Sequence, residues 1–170
     1  MGKTVEIERR WTIDRFPDDL ELVRDELIDQ SYISLDPEVR IRKIVDLTDN
    51  GMRVAYRLTI KGTGTMKRVE VETSIMADEY GALATLTPHA PIKKIRKKYR
   101  LNNGLYVECN IVEPGTEDQL MYAEIEFPDE ETANAYVPDS FLGEEHTNIP
   151  GYKMQDVWKR IRIDRAAKEN

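Results

Sequence analysis

Apolar and polar residues alternate with a period of two in seven separate segments of this chain. Successive side chains of a strand point to opposite faces, so each such segment predicts a strand with one apolar and one polar face. Over residues 5–13, Glu6, Glu8 and Arg10 share a face opposite Val5, Ile7, Trp11 and Ile13. Residues 39–45 set Arg40 and Arg42 against Val39, Ile41 and Val45. The turn Asp49-Asn50-Gly51 leads into residues 54–61, where Arg57, Thr59 and Lys61 oppose Val54, Tyr56, Leu58 and Ile60. After Gly62-Thr63-Gly64, residues 68–75 carry Arg68, Glu70 and Glu72 on one face. Residues 92–101 carry Lys94, Arg96 and Lys98 in step, and Asn102-Asn103-Gly104 turns the chain into residues 105–111, with Glu108 and Asn110 on the polar side. Residues 120–127 then set Tyr122, Glu124 and Glu126 against Met121, Ala123, Ile125 and Phe127.

Four segments carry helical spacing instead. Residues 17–30 place Leu20, Val23, Leu27 and Ile28 on one stripe with acidic residues in the first turn, which predicts an amphipathic helix. Residues 78–86 and 129–136 predict two short helices, and residues 152–167 a longer one with Met154, Val157, Trp158 and Ile161 on its apolar side and a frayed tail after Arg165. Helices of this kind must bury an apolar stripe, and the strands supply apolar faces for them to cover. The charged strand faces would be solvated in an open sheet or would line a lumen in a closed one, and periodicity alone does not choose between these.

The 170 residues fit one domain, residues 1–170, with enough length for a real core. Charged residues make up 34% and hydrophobic ones 40%, a globular balance. A net charge of −7 argues against nucleic acid and against an anionic membrane as partners, though basic groups enclosed by an acidic shell are compatible with it. The single cysteine excludes a disulfide framework and a thiolate metal site, no apolar run reaches membrane-spanning length, and the expected location is the cytoplasm. Gly2-Lys3-Thr4 has the end of a phosphate-binding loop without its upstream glycine, and Met1-Gly2 lacks the hydroxyl residue of a myristoylation signal. Cys109 falls on the apolar parity, and His89 and His146 have no second histidine at ligand spacing, so none of the three is assigned a role.

Two carboxylates and a guanidinium side by side, as in Glu6-x-Glu8-x-Arg10, repel and attract in a way that a cation and an anion together would complete. This motif resembles the Glu-x-Glu-x-Lys signature of the CYTH or triphosphate tunnel metalloenzyme superfamily, with Arg10 in place of Lys. The resemblance continues in order at Gln30-Ser-Tyr-Ile-Ser34, Val39-Arg-Ile-Arg42, Leu58-Thr-Ile-Lys-Gly62, Arg68-x-Glu70-x-Glu72 and Lys94-x-Arg96, and then at Tyr106-Val-Glu108, Ala123-Glu-Ile-Glu-Phe127 and Phe141-Leu-Gly143. It covers roughly residues 5–155.

The resemblance implies an α+β, mainly antiparallel β fold: an eight-stranded closed tunnel with a charged lumen and flanking amphipathic helices. It implies a small molecule containing a triphosphate as partner, bound by Arg10, Arg40, Arg42, Lys61, Arg68, Lys94 and Arg96. Glu6, Glu8, Glu108, Glu124 and Glu126 would hold the cofactor, Mg²⁺ or Mn²⁺, with Glu6, Glu8 and Arg10 at the catalytic centre. The implied activity is metal-dependent hydrolysis of inorganic tripolyphosphate or of a nucleoside or thiamine triphosphate. An adenylate cyclase of the same superfamily and a non-catalytic polyphosphate- or nucleotide-binding module are the alternatives, and a homodimer is left open. Asn110 stands where the family usually has Asp, which implies one metal-facing carboxylate fewer and weaker metal affinity.

Overall fold

All seven alternating segments are strands in the structure, a computed structural model that describes residues 3–169; Met1 and Gly2 lie outside the described residues. They form β1 (Val5–Thr12), β3 (Glu38–Asp46), β4 (Arg53–Lys61), β5 (Lys67–Ile75), β6 (Ile92–Arg100), β7 (Tyr106–Val112) and β8 (Leu120–Glu126). The missing eighth strand, β2 (Glu21–Leu35), occupies the segment whose spacing predicts a helix over residues 17–30.

That expectation is corrected by the ladder itself. β2 pairs with β3 on one side and with β6 on the other, and a bulge between Leu22 and Arg24 shifts its register. A bulge puts one extra residue into the alternation, so a period-two pattern interrupted at Val23 imitates helical spacing across Leu20, Val23 and Leu27. After the bulge the alternation is regular: Glu26, Ile28, Gln30 and Tyr32 are buried on one side, while Leu27 is exposed on the other.

With β2 in place the sheet closes as an antiparallel barrel in the order β1-β5-β4-β3-β2-β6-β7-β8. Closure leaves no open sheet edge, and it turns the charged faces of all the strands inward. β1 is shared unevenly. Val5–Ile7 pair with β5 and Glu8–Thr12 with β8, so the β5 side of Glu8–Thr12 is met by other backbone. Glu8 N–H donates to the Met66 carbonyl, His146 N–H to the Arg10 carbonyl, and Trp11 bridges to Glu145. Gly143 lies so close that a Cβ there would sit 2.4 Å from Thr12 Oγ1.

Two apolar clusters hold the barrel. The first lies outside it, where Ile7, Trp11, Val107, Cys109, Ala123 and Ile125 pack beneath α2 (Glu130–Ala135), Tyr136 and Leu142. Asp129 caps α2, its carboxylate accepting the Thr132 amide at 2.7 Å. The second lies within one end of the barrel: Tyr32, Ile92, Val112 and Tyr122 point inward and meet Met154, Val157, Trp158 and Ile161. The last four belong to a helical run of α3 (Met154–Trp158), a π-helical turn (Lys159–Asp164) and α4 (Arg165–Glu169), in place of the uniform helix over residues 152–167 that the spacing predicts. This run stoppers one end of the barrel. Arg162 anchors it to the Ala90 and Pro91 carbonyls and to Glu113, and Arg165 pairs with Asp118. α1 (Ala77–Ala84) crosses the outside near β3, setting Tyr80 against Tyr56, but Ile60, Val69 and Val71 on the outer face of β4 and β5 remain exposed. Helices therefore cover part of the outside, not all of it. None of the described helices is long and apolar enough to cross a membrane.

Trp158 is 1% exposed and packs against the Tyr32 ring at a tilt, 5.7 Å between centroids, so Trp158→Ala is expected to remove about 3–5 kcal/mol of stability in urea denaturation. A loss below about 1 kcal/mol would show that the stopper is not part of the cooperative core.

Candidate active site: a charged lumen closed at one end

Inward-facing residues of all eight strands surround a cavity of about 640 Å³. Its far end is the apolar stopper, and its mouth carries Lys3, Lys98, Tyr106 and Glu126, whose side chains reach solvent. The strand register decides which charges meet. Direct cross-strand partners of opposite sign include Glu6 with Arg68, Arg10 with Glu124, Lys61 with Glu70 and Lys98 with Glu108.

These pairings are realised as contacts. Glu6 accepts from Lys61 at 2.8 and 3.0 Å and from Arg68 at 3.0 Å. Burial alone would raise the pKa of its carboxyl group, but the two cations overcome that and hold it at about 2. Arg10 donates to Glu124 and to the Tyr152 carbonyl and lies 4.6 Å over the Tyr122 ring. Glu124 is held below the ordinary carboxylate range in spite of its burial, chiefly by Arg10 and Lys94.

Two places are left unbalanced. The first is Glu8, a lumen carboxylate with no Lys or Arg within ion-pair reach among the described residues. Its cross-strand partner is another acid, Glu126. Burial, then the charges of Glu124 and Glu6, push its pKa well above the ordinary range. The second is the wall of β3 and β6, where Arg40, Arg42, Lys94 and Arg96 gather. Arg42 faces Arg57 across the β4 ladder and donates to Glu72, while Arg96 faces neutral Asn110 on β7 and Glu26 on β2 and lies 3.4 Å from Glu108, so these acids offset the cluster only in part. Burial, then Arg40 and Arg96, lower Arg42 to about 10. Burial, then Arg96, with Arg40 and Arg42 adding to it, lower Lys94 well below the usual lysine range; its ammonium donates to the Tyr122 hydroxyl at 2.6 Å. The Nε atoms of Arg40 and Arg42 are buried without a hydrogen-bond acceptor. Buried N–H groups of this kind are rare, and an anion in the lumen would satisfy them.

The structure brings nearly all the residues singled out from sequence into this one cavity: Glu6, Glu8, Arg10, Arg40, Arg42, Lys61, Arg68, Lys94, Arg96, Glu108, Glu124 and Glu126 all line it. Within it they divide. Glu8 interacts electrostatically with both Glu6 and Glu124, whereas Glu108 faces Arg96 and Lys98, and Glu126 pairs with Lys3 at 2.6 Å. Asn110 is fully buried and does not line the cavity. Its Oδ1 accepts from Arg96 Nε at 3.2 Å, so here Asn in place of Asp leaves Arg96 with less counter-charge. Several lining residues escaped the sequence reading. Glu38, 5% exposed and accepting from Arg68 at 3.2 Å, lies two residues before Arg40 and could have been found by extending the alternation. Tyr32 lies just past the segment that reads as helix, in the Gln30-Ser-Tyr-Ile-Ser34 stretch noted only for its family resemblance, and Lys153 and Met154 come from the stopper, for which strand parity gives no signal.

Carboxylate oxygens of the Glu6, Glu8 and Glu124 type suit a hard divalent cation, and Glu8 lacks a counter-charge that such an ion supplies. As placed, no group of three Asp, Glu, His or Cys side chains among the described residues is gathered to hold one, because Glu6 and Glu124 are turned toward Lys61, Arg68 and Arg10. The donor chemistry fits a divalent ion, and cations already in the lumen compete for it.

A closed antiparallel barrel enclosing charges of both signs around a stoppered cavity defines the class of protein. The chain is 30% identical over 152 residues to the inorganic triphosphatase of Nitrosomonas europaea, spanning 87% of this chain and 93% of that protein. It belongs to the family of that triphosphatase. The crystal structure of the inorganic triphosphatase NE1496 superposes with a TM-score of 0.59 at 27% identity, covering 92% of this chain and 95% of that one. The fold also matches the PH1819 protein from Pyrococcus horikoshii, with a TM-score of 0.54 at 20% identity over 76% of this chain and 82% of that one. No protein-family model matches the chain.

Raising the proton affinity of Glu8 in the folded state makes the native protein bind more protons than the unfolded one above the ordinary glutamate value of 4.5, so stability falls as pH rises from there. In EDTA, Glu8→Gln is therefore expected to melt above the parent at pH 8, by a margin that grows with pH at up to about 1.4 kcal/mol per unit and disappears near pH 4. Equal melting temperatures across that range would mean that Glu8 is not under like-charge pressure.

Proposed function

We propose that this chain is a divalent-metal-dependent triphosphatase of the CYTH or triphosphate tunnel metalloenzyme type, acting on inorganic tripolyphosphate. The observation that carries the reading is the unbalanced cluster of Arg40, Arg42, Lys94 and Arg96, with the buried Nε donors of its two β3 arginines, facing across the lumen from acidic Glu8. A polyanion satisfies the first and a divalent cation the second. The name of the Nitrosomonas relative supports the inorganic substrate. So does the lining. The apolar end is filled by the protein's own Tyr32, Met154 and Trp158, and the Tyr122 ring is already covered by Arg10 at 4.6 Å and Lys94 at 5.2 Å, which leaves little apolar surface for an organic group.

Hydrolysis transfers a terminal phosphoryl group to water, giving orthophosphate and pyrophosphate. The negative charge spreads over the transferred group and the departing bridging oxygen, so the work of the protein is positioning and charge stabilisation. Arg42 and Arg96 offer forked donors that fix phosphoryl oxygens, and Lys94 offers a point charge held in place by Tyr122. Arg10, gripped by Glu124 and the Tyr152 carbonyl, holds its guanidinium between the acidic and basic parts of the lumen. Glu8, with Glu6 and Glu124, would hold Mg²⁺ or Mn²⁺, which when bound supplies Lewis-acid neutralisation of the phosphate charge.

Orthophosphate release from tripolyphosphate, ATP and thiamine triphosphate, with Mg²⁺, with Mn²⁺ and in EDTA, tests the reading. Tripolyphosphate is expected to be cleaved fastest and EDTA to abolish turnover. Glu8→Gln is expected to lower kcat about 100-fold or more. Arg42→Met is expected to raise KM roughly 10- to 100-fold, the worth of a charge-assisted hydrogen bond. No release from any of the three substrates with either metal would sink the proposal.

A further inference from the structure

One short stretch of chain outside the strands holds Arg10 from both ends of the residue. β5 does not pair with Glu8–Thr12, and residues 143–147 run beside Arg10 and Thr12 instead. The Arg10 amide donates to Thr147 Oγ1 at 3.0 Å, the Arg10 carbonyl accepts from the His146 amide at 2.8 Å, and the guanidinium donates to the Tyr152 carbonyl. The first two contacts anchor the backbone of β1. The third depends on where Tyr152 is placed.

Residues 148–152 are all exposed and turn through Gly151 at φ +90°, with nothing within 4 Å of where a Cβ would lie. Such a turn has little packing of its own to hold its shape. His146, 8% exposed, lies buried at its foot. The His146 carbonyl accepts from the Ile149 amide at 3.2 Å, and the imidazole packs against the Tyr152 ring at a tilt, 3.7 Å between centroids. Tyr152 is itself 47% exposed, so the imidazole is a buried surface on which its ring rests.

We propose that His146 is a positioning residue for Arg10: its imidazole fixes Tyr152, whose carbonyl aims the Arg10 guanidinium into the lumen. The inference rests on the triphosphatase reading above, in which Arg10 holds its charge between the acidic and basic parts of the lumen.

The two terminal nitrogens of Arg10 have different partners, one donating to Glu124 and the other to the Tyr152 carbonyl. Glu124 supplies counter-charge, and the carbonyl supplies direction. With Tyr152 released, Glu124 keeps the cation in the lumen, but the guanidinium is free to swing about that one contact. Arg40, Arg42, Lys94 and Arg96 still bind the anion, so the loss falls on kcat and not on KM. The other contact of the imidazole is with Glu144, 3.5 Å from Nε2 and 74% exposed, and an exposed pair contributes little. The flat ring is therefore the working part of His146, and phenylalanine supplies one.

Steady-state orthophosphate release from tripolyphosphate with Mg²⁺ gives kcat and KM for the parent, His146→Ala, His146→Phe and Tyr152→Ala, and for His146→Ala made in the Arg10→Lys background. His146→Ala is expected to lower kcat about tenfold with KM within about twofold of the parent, and His146→Phe to stay close to the parent. Tyr152→Ala removes the same packing from the exposed side and is expected to match His146→Ala; it carries the test if melting curves show that His146→Ala does not fold. A lysine has one terminal nitrogen, which Glu124 takes, so in the Arg10→Lys protein His146→Ala is expected to change kcat by less than about twofold. Unchanged kcat in His146→Ala or Tyr152→Ala, a loss in KM alone, a phenylalanine variant as slow as the alanine one, or an equal loss with and without Arg10→Lys overturns the inference and leaves the triphosphatase reading intact. A parent that releases no orthophosphate overturns the triphosphatase reading, and this inference with it.

Discussion

Charges buried in the barrel must be neutralised by other buried charges, and the rest of the structure depends on that constraint. An isolated ion carried from water into a protein interior loses several kcal/mol of solvation, which only close, well-shaped pairing recovers. The antiparallel register makes such pairing systematic by placing Glu6 opposite Arg68, Arg10 opposite Glu124 and Lys61 opposite Glu70. Removing one member of a pair would leave its partner stranded, so the lumen behaves as one coupled network. Where the register places like beside like, at Glu8 with Glu126 and at Arg42 with Arg57, the network is out of balance. The candidate site consists of these imbalances.

Stability and function are assigned to different surfaces of the same strands. The outward faces of β1, β7 and β8 pack into the cluster around Trp11, Phe127 and Tyr136, and the inward apolar residues at one end pack against Trp158. These two clusters supply the hydrophobic stabilisation that a charged lumen cannot. They also decide the shape of the cavity. With α3 and the π-helical turn seated on Tyr32 and Tyr122, the barrel is a cup open at its Lys98 and Glu126 end, and a ligand entering there meets the cationic wall before the stopper. The segment that closes the cup also contributes to the site, through the Tyr152 carbonyl on Arg10 and through Lys153.

Asn110 shows how a departure from family pattern acquires meaning only in three dimensions. Read along the strand, it replaces a carboxylate on the same face as Glu108 and suggests a weaker metal site. In the barrel it is buried beside Arg96, bound to Nε at 3.2 Å. An amide there positions the guanidinium without cancelling its charge, which leaves Arg96 more available to an anion.

Much of this protein was legible in its sequence. Alternation located seven strands and gave the inward face of each, so Glu6, Glu8, Arg10, Arg40, Arg42, Lys61, Arg68, Lys94, Arg96, Glu108, Glu124 and Glu126 could be assigned to one charged surface. This works because the side-chain period of a strand is two, and a polar face repeated that often must be either solvated or enclosed. The eighth strand was not legible, because the bulge at Val23 breaks that period and a broken alternation resembles a helical one. Closure of the sheet is implied by the family resemblance and not by periodicity, and two things were decided by the tertiary structure alone: the cross-strand partner of each charge, and the approach of Tyr152 and Lys153 from the far end of the chain. Each depends on residues distant in sequence coming within a few ångströms, and local periodicity carries no information about which distant residues those are.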